Sequence, residues 1–235
     1  MHRNRLAVPV AALLTLAFGV NPALGQTEQT RAVTNGGIAI EGWMGKIDAG
    51  EASAGLTLQN ARLAMDGSAM RVTTGPAVAY WNSSNTATGN YTVKATFNEP
   101  QYMNLNNHPH PYGIFIGGND MGTDQQSYMY CMAYGNGTFI ARGFGPEPFA
   151  LNGRRSEANE AVHKAAGAGQ PVTQEIAISV MADKVECSIN GTVVASYPKA
   201  ELVTAGRLKS TNGVYGIRFG HNTEALVTGL TMTRN

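Results

Sequence analysis

Apolar and polar side chains alternate along most of the chain with a period of two. Tyr91, Val93, Ala95 and Phe97 alternate with Thr92, Lys94 and Thr96, the pattern of a strand with one buried and one wetted face. Ile176, Ile178 and Val180 repeat it, as do Tyr215, Ile217 and Phe219. Between such runs stand Asp66-Gly67, Asn136-Gly137 and Asn190-Gly191, which supply the positive-φ residues of tight hairpin turns. Segments 62–73, 127–142 and 184–197 therefore read as hairpins, and Ala77 to Trp81, Tyr112 to Gly117 and Ala225 to Thr233 as further strands. Helical spacing is confined to Glu157 to Ala166 and Lys199 to Val203. About a dozen short strands with so little helix predict an all-β fold, a two-sheet antiparallel β-sandwich. Two long connections, 98–111 and 143–172, are where function or mobility is expected on such a scaffold.

Composition narrows the possibilities. At 235 residues, 43% hydrophobic, the chain can bury a sizeable core, and a formal charge of +1 gives no basic footprint for nucleic acid. The start reads as a secretory signal: His2, Arg3 and Arg5, then an apolar run from Leu6 to Val20, then Ala23-Leu24-Gly25. Fifteen residues interrupted by Pro9 fall short of the roughly 20 that cross a bilayer. The expected organisation is a signal peptide over 1–25, a disordered lead-in over 26–37 and a single sandwich domain over 38–235, exported to a periplasm or the cell exterior. Cys131 and Cys187 lie 56 positions apart in strand-like segments, and sequence alone leaves open whether they pair.

Gly42-Trp43, Ala77-Val78-Ala79-Tyr80-Trp81-Asn82, Thr88-Gly89-Asn90-Tyr91, Tyr112-Gly113-Ile114-Phe115-Ile116-Gly117-Gly118 and Ile189-Asn190-Gly191 together resemble exported bacterial proteins of the concanavalin A-like lectin and glucanase superfamily. Within it the nearest likeness is to 3-keto-disaccharide hydrolase-like domains and laminin G-like modules, over roughly residues 40–233. The resemblance implies a concanavalin A-like jelly roll and carries no catalytic signature. The Glu-x-Asp-x-x-Glu strand of family 16 glucanases, which sets two carboxyls at a retaining separation, is absent. Glu157, Glu160 and Glu99 read as solvated carboxylates rather than a catalytic pair.

Strand parity supplies the candidate site. Tyr215, Ile217 and Phe219 share one face, leaving Gly216, Arg218, Gly220 and Asn222 on the other. Likewise Tyr128 and Tyr130 oppose Met129 and Cys131, and Arg142 opposes Ala141. On one concave sheet these residues would form an open floor for a glycan or small polyol, with phenol rings stacking on sugar C–H faces and guanidiniums bonding hydroxyls. Trp43 and Trp81 are expected as core anchors. His108-Pro109-His110, with a third ligand from His163 or His221, is the one arrangement a metal could use, but it reads as a polar loop. Asn119 to Asp124 reads as a turn rather than a calcium loop. No metal, cofactor, nucleic-acid or membrane partner is therefore expected, and oligomeric state is left open.

The first functional expectation is an exported glycan-binding sandwich using Tyr128, Tyr130, Arg142, Arg218, Asn222, Asp120 and His221. The second, implied by the resemblance, is a glycoside-hydrolysing enzyme whose named pair would be Asp120 and His221. The third is an adhesive module of the cell envelope, marked by a large exposed apolar patch.

Overall fold

The computed structural model describes residues 29–105 and 107–235, so the expected signal peptide and residues 26–28 lie outside it. In chain order the elements are β1 (Gly37–Ile38), β2 (Trp43–Ile47), α1 (Ala49–Ser53), β3 (Ala61–Asp66), β4 (Ala69–Thr74), β5 (Val78–Ala87), β6 (Tyr91–Glu99), β7 (Tyr112–Asn119) and β8 (Ser127–Tyr134). They continue with β9 (Thr138–Phe144), β10 (Phe149–Ala150), β11 (Glu157–Ala158), β12 (Val172–Val180), β13 (Lys184–Ile189), β14 (Thr192–Pro198), α2 (Lys199–Leu202), β15 (Gly213–Phe219) and β16 (Glu224–Arg234).

Two sheets result. The front sheet runs β1-β3-β4-β16-β6-β12-β13-β14, and the back sheet runs β10-β9-β8-β7-β15-β5-β2, with β11 also on β9. The described pairings are antiparallel except β1 with β3. The three hairpins form as the turn residues require: Gly67, Gly137 and Gly191 take positive φ, and Asn190 joins Gly191 there at φ 51°. The fold is thus the all-β, two-sheet antiparallel β-sandwich that the alternation implies.

Between the sheets lies one core. Tyr91, Val93, Ala95 and Phe97 of β6 meet Tyr112, Ile114 and Ile116 of β7 and Ile217 and Phe219 of β15. Phe97 stacks on Tyr112 with ring centroids 5.5 Å apart. Cys131 of β8 and Cys187 of β13 point into this space from opposite sheets and are joined, with Cα atoms 6.2 Å apart. The bond therefore staples one layer to the other.

Three local expectations are corrected. Segment 157–166 is not helical: β11 pairs with β9, Lys164 bridges Asn136, and the Ala165 amide donates to the Gly135 carbonyl, so edge pairing overrides local propensity. The described part of the lead-in is held rather than disordered, because the Arg31 amide donates to Asn222 Oδ1 and β1 pairs with β3. Trp81 does not join the inter-sheet core; with Ala79 it lies on the other face of the back sheet.

Closing a 56-residue loop restricts the unfolded chain by about 4 kcal/mol on a chain-entropy account. Replacing both cysteines by alanine is expected to lower the unfolding free energy by about 2–4 kcal/mol. Urea titration of the double variant checks this, and an unchanged midpoint would show that packing alone holds the layers together.

Candidate functional site

The outer face of the back sheet carries the side chains singled out by parity. Register lines up Arg142, Tyr130, Phe115, Gly216, Trp81 and Met44 in one row across β9, β8, β7, β15, β5 and β2. The next row is Ile140, Met132, Gly113, Arg218, Ala79 and Lys46. Tyr128, Tyr130, Arg142 and Arg218 thus share one face of one sheet. Small neighbours, Gly113 and Ala79, leave room for the Arg218 side chain.

That face is not the open floor expected from parity. Tyr128 has no exposed surface and Arg218 only 3%, and with Ala79, Trp81, Phe115, Met132 and Ile140 the tyrosines form a second apolar cluster. The Tyr128 ring lies 4.9 Å from Phe115 and 5.1 Å from Phe144. The Arg218 guanidinium sits 5.6 Å from the Tyr130 ring and 5.4 Å from Phe144, and its Nη2 donates to Asp48. Its Nε and Nη1 meet no acceptor among the described residues. Burial opposes the guanidinium charge, but Tyr128, Asp48 and Tyr130 more than offset it and leave its pKa raised. Burial likewise pushes the Tyr128 and Tyr130 phenols up, with Arg218 pulling each partly back. Asp48 was missed in the sequence although Met44, Lys46 and Asp48 share one parity.

Accessible space lies at the margin of this face. Tyr130, Arg142, Gly143, Pro148, Phe149, Ala150 and Arg154 line a cavity of about 250 Å³. Arg142 Nη2 donates to the Arg154 carbonyl, which draws the loop after β10 against β9. Arg207 stands 5.5 Å from the Phe149 ring behind it. Arg154 and Phe149 carry no periodic signal that would have placed them here.

The remaining candidates lie elsewhere. Asp120 follows β7 and pairs with Lys209, whereas His221 follows the antiparallel β15. An eight-residue strand about 25 Å long separates their ends, so the two cannot act as a catalytic pair. Asn222 is off the sheet face: its Oδ1 accepts from the Arg31 amide and its Nδ2 donates to the Gln29 carbonyl. Lys46 binds the Thr123 carbonyl and Asp124, and the Thr123 hydroxyl donates to the Asp120 carbonyl, as in a turn closed by the protein's own groups.

Glu99 is the carboxyl that sequence reasoning misplaced. It continues the inward parity of Tyr91, Val93, Ala95 and Phe97 and is buried rather than solvated. Burial pushes its pKa up to about 7, with the Tyr112 hydroxyl and Arg31 pulling partly back. Tyr112 acts on it from outside hydrogen-bonding geometry, since its hydroxyl and Glu99 Oε2 each lack a partner.

No family model matches the chain, and no curated protein is similar to it in sequence. Solved structures share its architecture. A Bacillus subtilis protein of unknown function with a galectin-like fold superposes with a TM-score of 0.55 at 12% identity, covering 82% of this chain and 89% of that one. The carbohydrate binding module CBM66 from Bacillus subtilis gives 0.51 at 6%, covering 83% and 97%. An endo-beta-1,3-glucanase from Pyrococcus furiosus gives 0.52 at 13%, covering 85% and 92%. At such identities the shared property is the fold, a galectin-like β-sandwich.

Glu99 makes stability depend on pH. Below about pH 4.5 both folded and unfolded chains hold its proton, and no penalty arises. Between there and about pH 7 the unfolded chain releases the proton more readily, so stability falls as pH rises. Glu99→Gln is expected to gain on the parent chain by up to about 3 kcal/mol between pH 4.5 and 8. Denaturant titrations of both proteins across that range provide the check, and a difference independent of pH would remove the assignment.

Proposed function

We propose that the protein is an exported saccharide-binding β-sandwich whose ligand, a glycan or small polyol, sits in the cavity formed by Tyr130, Phe149, Arg142 and Arg154. The observation carrying this reading is the meeting of the Tyr130 ring and Arg142 with Arg154 at one concavity along the β9–β10 edge of the back sheet, where Phe149 adds apolar lining from the inter-sheet side. Rings offer stacking surface to sugar C–H groups, and guanidiniums offer donors to hydroxyls. The fold is one on which a carbohydrate binding module and an endo-beta-1,3-glucanase are built. Relative to the sequence reading, the ligand moves from the centre of the face to its margin, because Tyr128 and Arg218 are sealed.

Export is supported by the basic start and apolar run of the sequence, and by a disulfide of the kind that persists in oxidising compartments. The hydrolase reading, with its likeness to 3-keto-disaccharide hydrolases, loses the pair it named once Asp120 and His221 fall at opposite strand ends. The adhesive reading needs a contiguous apolar surface. Met44, Met65, Val193 and Val203, the large hydrophobics exposed among the described residues, lie on or beside four different elements.

Calorimetric titration with neutral and acidic oligosaccharides, including β-1,3-linked glucans, is expected to show saturable binding. Tyr130→Ala and Arg142→Ala should each weaken it about tenfold or more, equivalent to about 1.4 kcal/mol. Tyr128→Phe should leave it unchanged. Absence of saturable binding across the panel, or full affinity in both alanine variants, would overturn the proposal. For export, expression in a bacterium with a periplasm should yield a mature chain beginning at Gln26 by N-terminal sequencing; a full-length cytoplasmic product would refute it.

A further inference from the structure

Away from the back-sheet cavity, the fold gathers three imidazoles at one end of the sandwich. His108 and His110 precede β7, and His221 follows β15. Because β7 and β15 are antiparallel neighbours with Tyr112 opposite Phe219, the residues flanking that pair are brought side by side. The Gly220 amide donates to the Pro111 carbonyl at 2.7 Å and extends the ladder one step beyond the strands. Only glycine permits this approach, since a Cβ at position 220 would stand 2.6 Å from Pro111 Cδ. Pro109 and Pro111 fix φ on either side of His110, so little backbone freedom remains to be lost when the rings are held.

The outcome is tight. Ring centroids of His108 and His110 are 4.6 Å apart and those of His110 and His221 are 4.5 Å apart. One nitrogen from each ring lies within 4.8 Å of the others. A tetrahedral zinc with bonds of about 2.0–2.1 Å holds its ligands roughly 3.4 Å apart, so small side-chain rotations would close the set. Oxygen atoms stand behind two of the rings. Asn107 Oδ1 is 3.3 Å from His108 Nδ1, and Glu51 Oε1 is 3.7 Å from His221 Nδ1. Glu51 is itself fixed by accepting the Ala77 amide hydrogen. Carboxylate or carbonyl groups placed behind imidazoles orient them and make them better ligands, leaving Nε2 to face the ion.

We propose that His108, His110 and His221 form a binding site for a divalent transition ion of the zinc class. Imidazole nitrogen suits zinc, copper, nickel and iron, whereas calcium and magnesium require oxygen donors. Three protein ligands leave a fourth position open, and His221 and Glu51 also line a cavity of about 310 Å³ with Thr30, Gly50, Leu56 and Asn222. An exogenous oxygen or nitrogen donor could reach the ion from there. This corrects the reading of His108-Pro109-His110 as a plain polar loop and separates His221 from His163, whose Nδ1 lies 2.8 Å from the Thr173 carbonyl elsewhere.

The test uses the tag-free full chain, titrated with Zn²⁺ against a chromophoric chelator and with Co²⁺ followed by its visible d–d absorption. One equivalent of each ion is expected to bind at micromolar concentration or below. His108→Ala, in an exposed loop, and His221→Ala should each weaken binding by more than the about tenfold expected for Glu51→Gln, which removes only a supporting charge. His163→Ala should bind as the parent does. Zn²⁺ should raise the thermal midpoint of the parent and not of His108→Ala, while the metal-free midpoints of those two proteins stay close. Lack of an equivalent of bound ion, or equal affinity in the parent, His108→Ala and His221→Ala chains, would overturn the assignment. Repeating the oligosaccharide titration in chelator separates the two proposals, since binding at the Tyr130 cavity should not change.

Discussion

Burial of the back sheet on both sides is the constraint from which the rest follows. β7 and β8 each present seven consecutive buried positions, one set of alternate residues in the inter-sheet core and the other in a second apolar cluster outside it. A polar group at the centre of the outer face cannot then rely on water. A guanidinium placed there must find a carboxylate and aromatic faces, as Arg218 does in Asp48, Tyr130 and Phe144. Accessible space is displaced to the margin, where Tyr130, Arg142 and the loop after β10 line a cavity.

Much of the fold was legible because alternation encodes it directly. Inward residues of β6, β12 and β15 are those that the period of two marks, and the three Asx-Gly pairs turn where they were expected to turn. What failed did so for tertiary reasons. Segment 157–166 is rich in alanine and glutamate and looks helical in isolation, yet its backbone is claimed by β9 and by the turn at Asn136. Whether the two cysteines meet was also invisible locally, since it depends on β8 and β13 facing each other across the core.

For the candidate site, parity gave the shared face of Tyr128, Tyr130, Arg142 and Arg218 but not what packs over it. The rings that cover Tyr128, those of Phe115 and Phe144, stand on neighbouring strands, so accessibility depends on how adjacent strands pack together and could not be read from spacing within one strand. One misreading and one omission were avoidable. Continuing the alternation of β6 by two residues leads to Glu99, and continuing that of β2 leads to Asp48. Sequence named His108 and His110 with either His163 or His221, but choosing His221 needs the knowledge that β7 and β15 are neighbours.

The order of strands within the two layers bears on how the chain acquires its structure. β15 lies between β7 and β5, and β16 between β4 and β6, so the two latest strands occupy interior positions of both layers. Earlier strands, as they emerge, lack the partners that would complete either layer and hold open edges until those segments arrive. Assembly is accordingly dominated by distant pairings, which are slow to form. Neither layer can therefore close its ladder until the last two strands of the chain have been made.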